Sequence, residues 1–128
     1  MAEKENALVV INVLEDSYYN DCRIVGSINI PLRSIERCET EFDKDAEIVV
    51  YCSHDLCTEA VEAVKKLKEL GFSNVYLFEG GMAAWYQADL PVEGSCMQEY
   101  LAHQPTKEEA RSTEAISAEA LAKKMGFR

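Results

Sequence analysis

The chain has 128 residues, enough for one domain with a full hydrophobic core and too few for two. Its 13 Lys and Arg against 23 Asp and Glu leave a net charge of -10, which repels nucleic-acid phosphates and anionic lipid and excludes both as expected partners. The opening MAEKENALVV lacks a basic segment ahead of a long apolar core, and no run approaches the ~20 apolar residues of a membrane helix, so a soluble cytoplasmic protein is expected.

Ala7 to Leu14, ALVVINVL, is a β-branched apolar run of the kind found in strands buried on both faces. The polar EDSYYNDC after it predicts a turn. Gly26 to Pro31, GSINIP, predicts a very short strand stopped by Pro31, which cannot donate to a ladder. Ile35, Cys38 and Phe42 are spaced for a short amphipathic helix over 33–42, and DKDA turns the chain.

EIVVYC predicts a second strong strand. The helix after it, Thr58 to Leu70, carries Ala60, Val61, Val64 and Leu67 on one face and ends at Gly71, suited to a left-handed C-cap. Its charges follow the helix dipole, with Glu59 and Glu62 early and Lys65, Lys66 and Lys68 late. NVYLF, Asn74 to Phe78, is another buried strand; Gly80 and Gly81 allow a tight exit into the short helix MAAWYQA, where Trp85 is expected as a core anchor. Strands alternating with helices imply a mostly parallel central sheet with helices on both faces, an α/β fold of three layers.

Composition changes near Tyr100, dividing the chain into a domain over residues 1–99 and a helical C-terminal extension over 100–128. In the extension, Thr106 and Glu109 form a capping box and His103 is expected to be solvated; SAEALAKKMG predicts a helix with Ser117 as N-cap and Gly126 as C-cap.

Five cysteines, Cys22, Cys38, Cys52, Cys57 and Cys96, are an odd number in a chain without an export signal, so reduced thiols are expected rather than a disulfide scaffold. Paired C-x-x-C spacing is missing and His103 lies in another region, so no metal or other cofactor is expected. Cys38 is on an apolar helix face and reads as core. Cys52 is different, because it closes a strand and precedes a helix. In an open parallel sheet ligands collect at the carboxyl ends of strands. Ser53 to Thr58 must wrap round Cys52 to start the helix, so loop amides and the positive helix end can favour a thiolate, the form that attacks. His54, if protonated, and the hydroxyls of Ser53 and Thr58 add to this, whereas Asp55 and Glu59 oppose it unless they face solvent. The alternative is a small apolar residue packed under a loop.

Taken together, IVVYC, the segment Cys52 to Thr58, LKELGFSNVYLFEGGMAAW, LPVEG, and in the first half LVVINVLED with IVGSINIPL, resemble the rhodanese-like domains over about residues 7–94. The resemblance implies the rhodanese-like fold and a sulfurtransferase: the cysteine matching Cys52 takes a sulfane sulfur from a small donor such as thiosulfate, a persulfide or a polysulfide. The persulfide is held by the loop Ser53, His54, Asp55, Leu56, Cys57 and Thr58, and its outer sulfur passes to a thiol or other nucleophile. Related phosphatases and arsenate reductases need a longer loop and an arginine, and both are missing.

The departures from the family pattern are specific. Cys57 stands where active members carry the loop arginine that grips an anionic donor through two parallel hydrogen bonds, which puts thiosulfate turnover in doubt. Asp55 replaces a glycine, Asn12 and Leu14 replace an acidic and basic pair, and Arg23 replaces a histidine and is a candidate for the pocket rim. Cys57 either resolves an oxidised Cys52 as a disulfide or simply packs inward. A non-catalytic binding or regulatory module and a thiol redox protein using Cys52 and Cys57 are the other readings. The family's usual strand and helix before the first long strand are missing, and AISAEALAKKMG looks like that piece. The extension is therefore expected either to fold back into its place or to serve as an arm for a protein partner or self-association.

Overall fold

In the computed structural model, which describes residues 8–53, 58–102 and 115–127, the β-branched runs pair into one five-stranded sheet. Its order is β3 (Ile28–Asn29), β1 (Leu8–Asn12), β4 (Glu47–Tyr51), β5 (Asn74–Phe78) and β7 (Ala115–Ile116), and every pair is parallel. Val9 lies opposite Ile48 and Ile48 opposite Val75, so one row of aliphatic side chains crosses three strands. Alternation along β1 and β4 sends Ile11, Ile48 and Val50 to one face and Val10, Val49 and Tyr51 to the other.

Each face is covered. The first packs against α3 (Glu59–Glu69), a 3-10 helix (Leu32–Arg37) and α2 (Cys38–Glu41), through Ile35, Ala60, Ala63, Val64 and Leu67. The second packs against α4 (Gly81–Gln87) and α5 (Ala118–Met125), through Met82, Trp85, Leu121 and Ala122. The three-layer α/β architecture expected from the sequence is the one observed. Trp85 is fully buried, donates from Nε1 to the Pro91 carbonyl at 2.7 Å and meets Phe78 edge-on, the core anchor its position predicted.

Four short elements depart from expectation. Asp16–Asp21 is a helix, α1, rather than a plain turn; the amides of Tyr18 and Tyr19 both donate to the Glu15 carbonyl and start it. Arg23–Ile24 (β2) and Val92–Glu93 (β6) form a separate antiparallel pair, two residues each and too short to show a period. The helix expected over 33–42 is split, its first half a 3-10 turn begun by Ser34 donating to the Pro31 carbonyl at 2.8 Å.

The expectation of reduced thiols is overturned. Cys22 and Cys96 form a disulfide, with Cα atoms 4.5 Å apart and a sequence separation of 74. The count of cysteines carried no information about the β2–β6 pairing that brings those two chain segments together. Cys38 is free and fully buried, as its apolar helix face implied.

At the C-terminus, β7 adds to the sheet beside β5, with Ala115 opposite Leu77 and Ile116 opposite Phe78. In α5 the Ser117 hydroxyl accepts from the Ala120 amide at 3.1 Å, and Gly126 ends the helix at φ +91°. Leu121 is fully buried in the second core layer, and Lys124 pairs with Glu47 at the start of β4. The predicted capping box of Thr106 and Glu109, and His103, lie outside the described residues.

Candidate active site

The carboxyl ends of the strands are bound tightly to one another. The Val13 amide donates to the Tyr51 carbonyl at 3.1 Å, and those of Ile30 and Leu32 donate to the carbonyls of Asn12 and Val13. Asn29 Nδ2 donates to the carbonyls of Asn12 (3.0 Å) and Leu14 (2.9 Å), so the segment after β1 is held against β3. Asn12 is itself fully buried; its Oδ1 accepts from the Leu14 amide at 2.9 Å, while its Nδ2 has no hydrogen-bond partner.

Cys52 comes directly after β4, the central strand. Its carbonyl accepts from the Met82 amide at 2.8 Å and the Ser53 carbonyl accepts from the Ala83 amide at 2.9 Å, so the first turn of α4 fixes the start of the loop. The Cys52 side chain is 2% exposed and belongs to the apolar layer of Ile35, Ala60 and Ala63. It is disulfide-bonded, so the expected thiolate does not exist in this state. Ser53 is half-buried, and Thr58 is exposed at the N-terminus of α3, accepting from the Glu62 amide through its carbonyl. His54, Asp55, Leu56 and Cys57 lie outside the described residues.

Arg23 sits on β2, paired with Glu93 at 3.3 Å and with its guanidinium 5.1 Å from the Tyr19 ring centroid. Those contacts engage its charge at the β2–β6 pair. An open cleft of about 280 Å³ lies between the 3-10 helix and α3, lined by Leu32, Arg33, Ile35, Glu36, Glu62 and Lys66. Its Ile35 wall is shared with the layer that holds Cys52. Arg33 is tied to Glu15 and Lys66 to Glu36, so both cations of the cleft already have carboxylate partners.

Sequence reading missed the support behind this loop. Tyr51 points to the opposite face from Cys52 and is fully buried; its hydroxyl accepts from the Ile24 amide at 3.1 Å and lies 2.9 Å from Ser27 Oγ. Ser27 Oγ donates to the Ile24 carbonyl, and Tyr19 donates to the Ser27 carbonyl at 2.6 Å. Burial, chiefly, pushes the Tyr51 phenol above its usual range, so it stays neutral. A single tyrosine at the end of an otherwise aliphatic strand was the available signal, since a buried phenol requires a partner. Among the described residues no cluster of three or more His, Cys, Asp or Glu is placed to hold a metal ion, and no helix is long and apolar enough to cross a membrane.

Comparison with known proteins gives the same architecture and names a chemistry. The thiosulfate sulfurtransferase GlpE of Shewanella oneidensis is 28% identical over 80 residues, 62% of this chain and 77% of that protein. A crystal structure of the Alr3790 protein from Anabaena is 32% identical and superposes with a TM-score of 0.64, covering 69% of this chain and 78% of that one. A rhodanese with anions from E. coli is 29% identical with a TM-score of 0.57, covering 69% of this chain and 99% of that one. The family description Rhodanese-like domain matches residues 1–88. Matched over more than half its length, and folded like the solved relatives, the chain belongs to the rhodanese-like domain family.

Proposed function

We propose that the protein is a sulfurtransferase that carries a sulfane sulfur as a persulfide on Cys52. The observation behind this reading is the place of Cys52, directly after the central strand with its carbonyl held by the α4 amide of Met82, in a chain related to proteins named thiosulfate sulfurtransferase. Because Cys52 is disulfide-bonded in the described state, a thiol must first reduce it. The freed thiolate then attacks the outer sulfur of the donor; that S–S bond breaks, and the remainder departs as sulfite or as a shorter polysulfide. An acceptor thiolate takes the outer sulfur and returns Cys52 as a thiolate.

Ser53, His54, Asp55, Leu56, Cys57 and Thr58 supply the cradle, chiefly through backbone amides. Arg23, whose guanidinium already meets Glu93 and Tyr19, is a candidate for the pocket rim and not for the cradle itself. With Cys57 in the arginine position, polysulfide is the better donor and thiosulfate the poorer, because one site that grips a dianion through two charge-assisted bonds is gone.

A sulfur-transfer assay on the pre-reduced, desalted protein, with a thiol acceptor and either thiosulfate or inorganic polysulfide, tests the reading. Polysulfide is expected to outpace thiosulfate by about 10-fold or more, and Cys52→Ser to lose about 100-fold or more of the polysulfide activity. Transfer that survives Cys52→Ser excludes it.

The disulfide at Cys52 favours a second reading, a thiol redox protein. This reading pairs Cys52 with Cys57, five positions along the chain. Retention of redox cycling with no sulfur transfer from any donor would select it. The C-terminal extension, residues 100–128, belongs to the same proposal: β7 and α5 stand in for the strand and helix that such domains usually carry ahead of the first long strand.

A further inference from the structure

We infer that Cys22–Cys96 is a redox-modification site that clasps the C-terminal quarter of the chain onto α1, independently of the chemistry at Cys52. The two cysteine sites lie in different layers. Cys22 is buried in the layer of Trp85 and Leu121 with Cys96 packed against it, whereas Cys52 belongs to the opposite layer with Ile35 and Ala60. The sheet therefore separates them.

The segment around Cys96 is built to hold the bond. The Cys96 amide donates to the Asp21 carbonyl at 2.8 Å, and the Asp21 carboxylate accepts from the amides of Met97 and Gln98 and from the Ser95 hydroxyl. Gly94 takes φ +108°, and a Cβ there would stand 2.2 Å from the Asp21 carbonyl oxygen. These contacts do not need the S–S bond, so after reduction the thiols stay close and the bond can re-form. The bond does hold one costly feature, because Cys96 has φ +55°, a backbone conformation that non-glycine residues adopt rarely. Two thiols cannot keep the bonded separation, and Cys22 is sealed at 0% exposure while Cys96 is half-buried beside Met97, which is 77% exposed. Cys96 is therefore the side that moves on reduction.

Residues C-terminal to Cys96 then loosen. The 3-10 turn Glu99–Ala102 rests against α4, where the Leu101 carbonyl accepts from Gln87 Nε2 at 2.8 Å, and Tyr100 meets the Tyr18 ring of α1 at 6.1 Å. Beyond it the chain supplies β7 and α5. The reductant is a small or protein dithiol. One of its thiolates attacks Cys96 Sγ, the S–S bond breaks and Cys22 leaves as a thiolate that takes up a proton. The second thiol then closes a disulfide in the reductant and frees Cys96. Exchange with the oxidised dithiol runs the same steps in reverse.

The full chain, and its Cys52→Ser variant to remove the other site's chemistry, would be equilibrated in reduced and oxidised dithiothreitol mixtures. Differential alkylation read by peptide mass, and amide hydrogen exchange, are then measured. Cys22 and Cys96 are expected to change together in a single two-electron transition. Reduction is expected to raise exchange at least several-fold in peptides from 95–102 while β4 peptides stay protected. A pair that never forms in the oxidised mixture, or exchange over 95–102 that is identical in both states, overturns the inference. Because both readouts are independent of sulfur transfer, an inactive enzyme at Cys52 leaves this test intact.

Discussion

Tyr51 and Cys52 are consecutive, yet they serve opposite faces of the sheet, and the difference decides what each substitution does. The Tyr51 hydroxyl is the partner of a buried amide, that of Ile24, and it shares a bond with Ser27. Tyr51→Phe keeps the ring and strands those groups, so a loss of about 1–3 kcal/mol in urea unfolding is expected, with the fold retained by circular dichroism. A loss below 0.5 kcal/mol, roughly the level of a neutral surface change, would mean that water replaces the hydroxyl. Cys38 gives a pH-dependent counterpart. Burial first, then the Glu41 charge, pushes its thiol from 9.0 up to about 11, so the folded protein keeps this proton longer than the unfolded chain does. Its contribution is level below pH 9 and falls as pH rises from 9 towards 11. A Cys38→Ala variant should therefore show a shallower decline over that window, and native Cys38 should resist iodoacetamide at pH 8. Equal slopes for the two proteins would contradict this. At this scale the burial of Cys38 and Trp85 was legible from their apolar neighbours, and the place of Cys52 from the strong strand it follows. It could not make Cys22 and Cys96 legible, because their contact depends on a strand pair of two residues.

Among the elements, those with a local signature were readable and those made by tertiary contact were not. The strands at 8–12, 47–51 and 74–78 announce themselves through continuous β-branched runs, and α3 and α5 through caps and apolar stripes. By contrast α1, β2 and β6 carry no period, and the 3-10 turn shares its apolar spacing with an α-helix. The strand end at Cys52 was legible, but the α4 amides that hold the carbonyls of Cys52 and Ser53 were not, since they come from residues 30 positions along the chain. The C-terminal return is the most decisive element to test. Leu121 is fully buried against the layer of Phe78 and Trp85, which no detached arm would require. Leu121→Ala is expected to lower stability by about 2–5 kcal/mol, the range for deleting a buried leucine side chain, in a single cooperative transition. A change within about 0.5 kcal/mol would show that α5 docks too weakly to belong to the domain.

For the molecule as a whole, the question is what holds the C-terminal strand and helix to a sheet assembled mostly from earlier residues. The Lys124–Glu47 pair is one tie, but its side chains are 34% and 33% exposed, and exposed pairs contribute about 0.2–1 kcal/mol. The Cys22–Cys96 bond, which anchors the segment ahead of that strand and helix, is the larger one. It closes a loop with a sequence separation of 74, for which the chain-entropy account gives about 4 kcal/mol through restriction of the unfolded state. The bonds from Asp21 to the Cys96, Met97 and Gln98 amides can form with or without the S–S link, though they open more often once it is gone, so they do not cancel that difference. Native domains are held by only about 5–15 kcal/mol, so losing the bond should be plain in the urea midpoint. For the oxidised chain against a Cys22→Ala, Cys96→Ala double variant, both unfolded in urea at neutral pH, a difference of about 2–4 kcal/mol is expected, the lower end reflecting relief of the left-handed backbone at Cys96. The slope with denaturant should be slightly greater for the double variant, because its unfolded chain is less compact. Coincident midpoints would mean that the return segment is held by its packing alone, and that the bond fixes its redox state without adding to its stability.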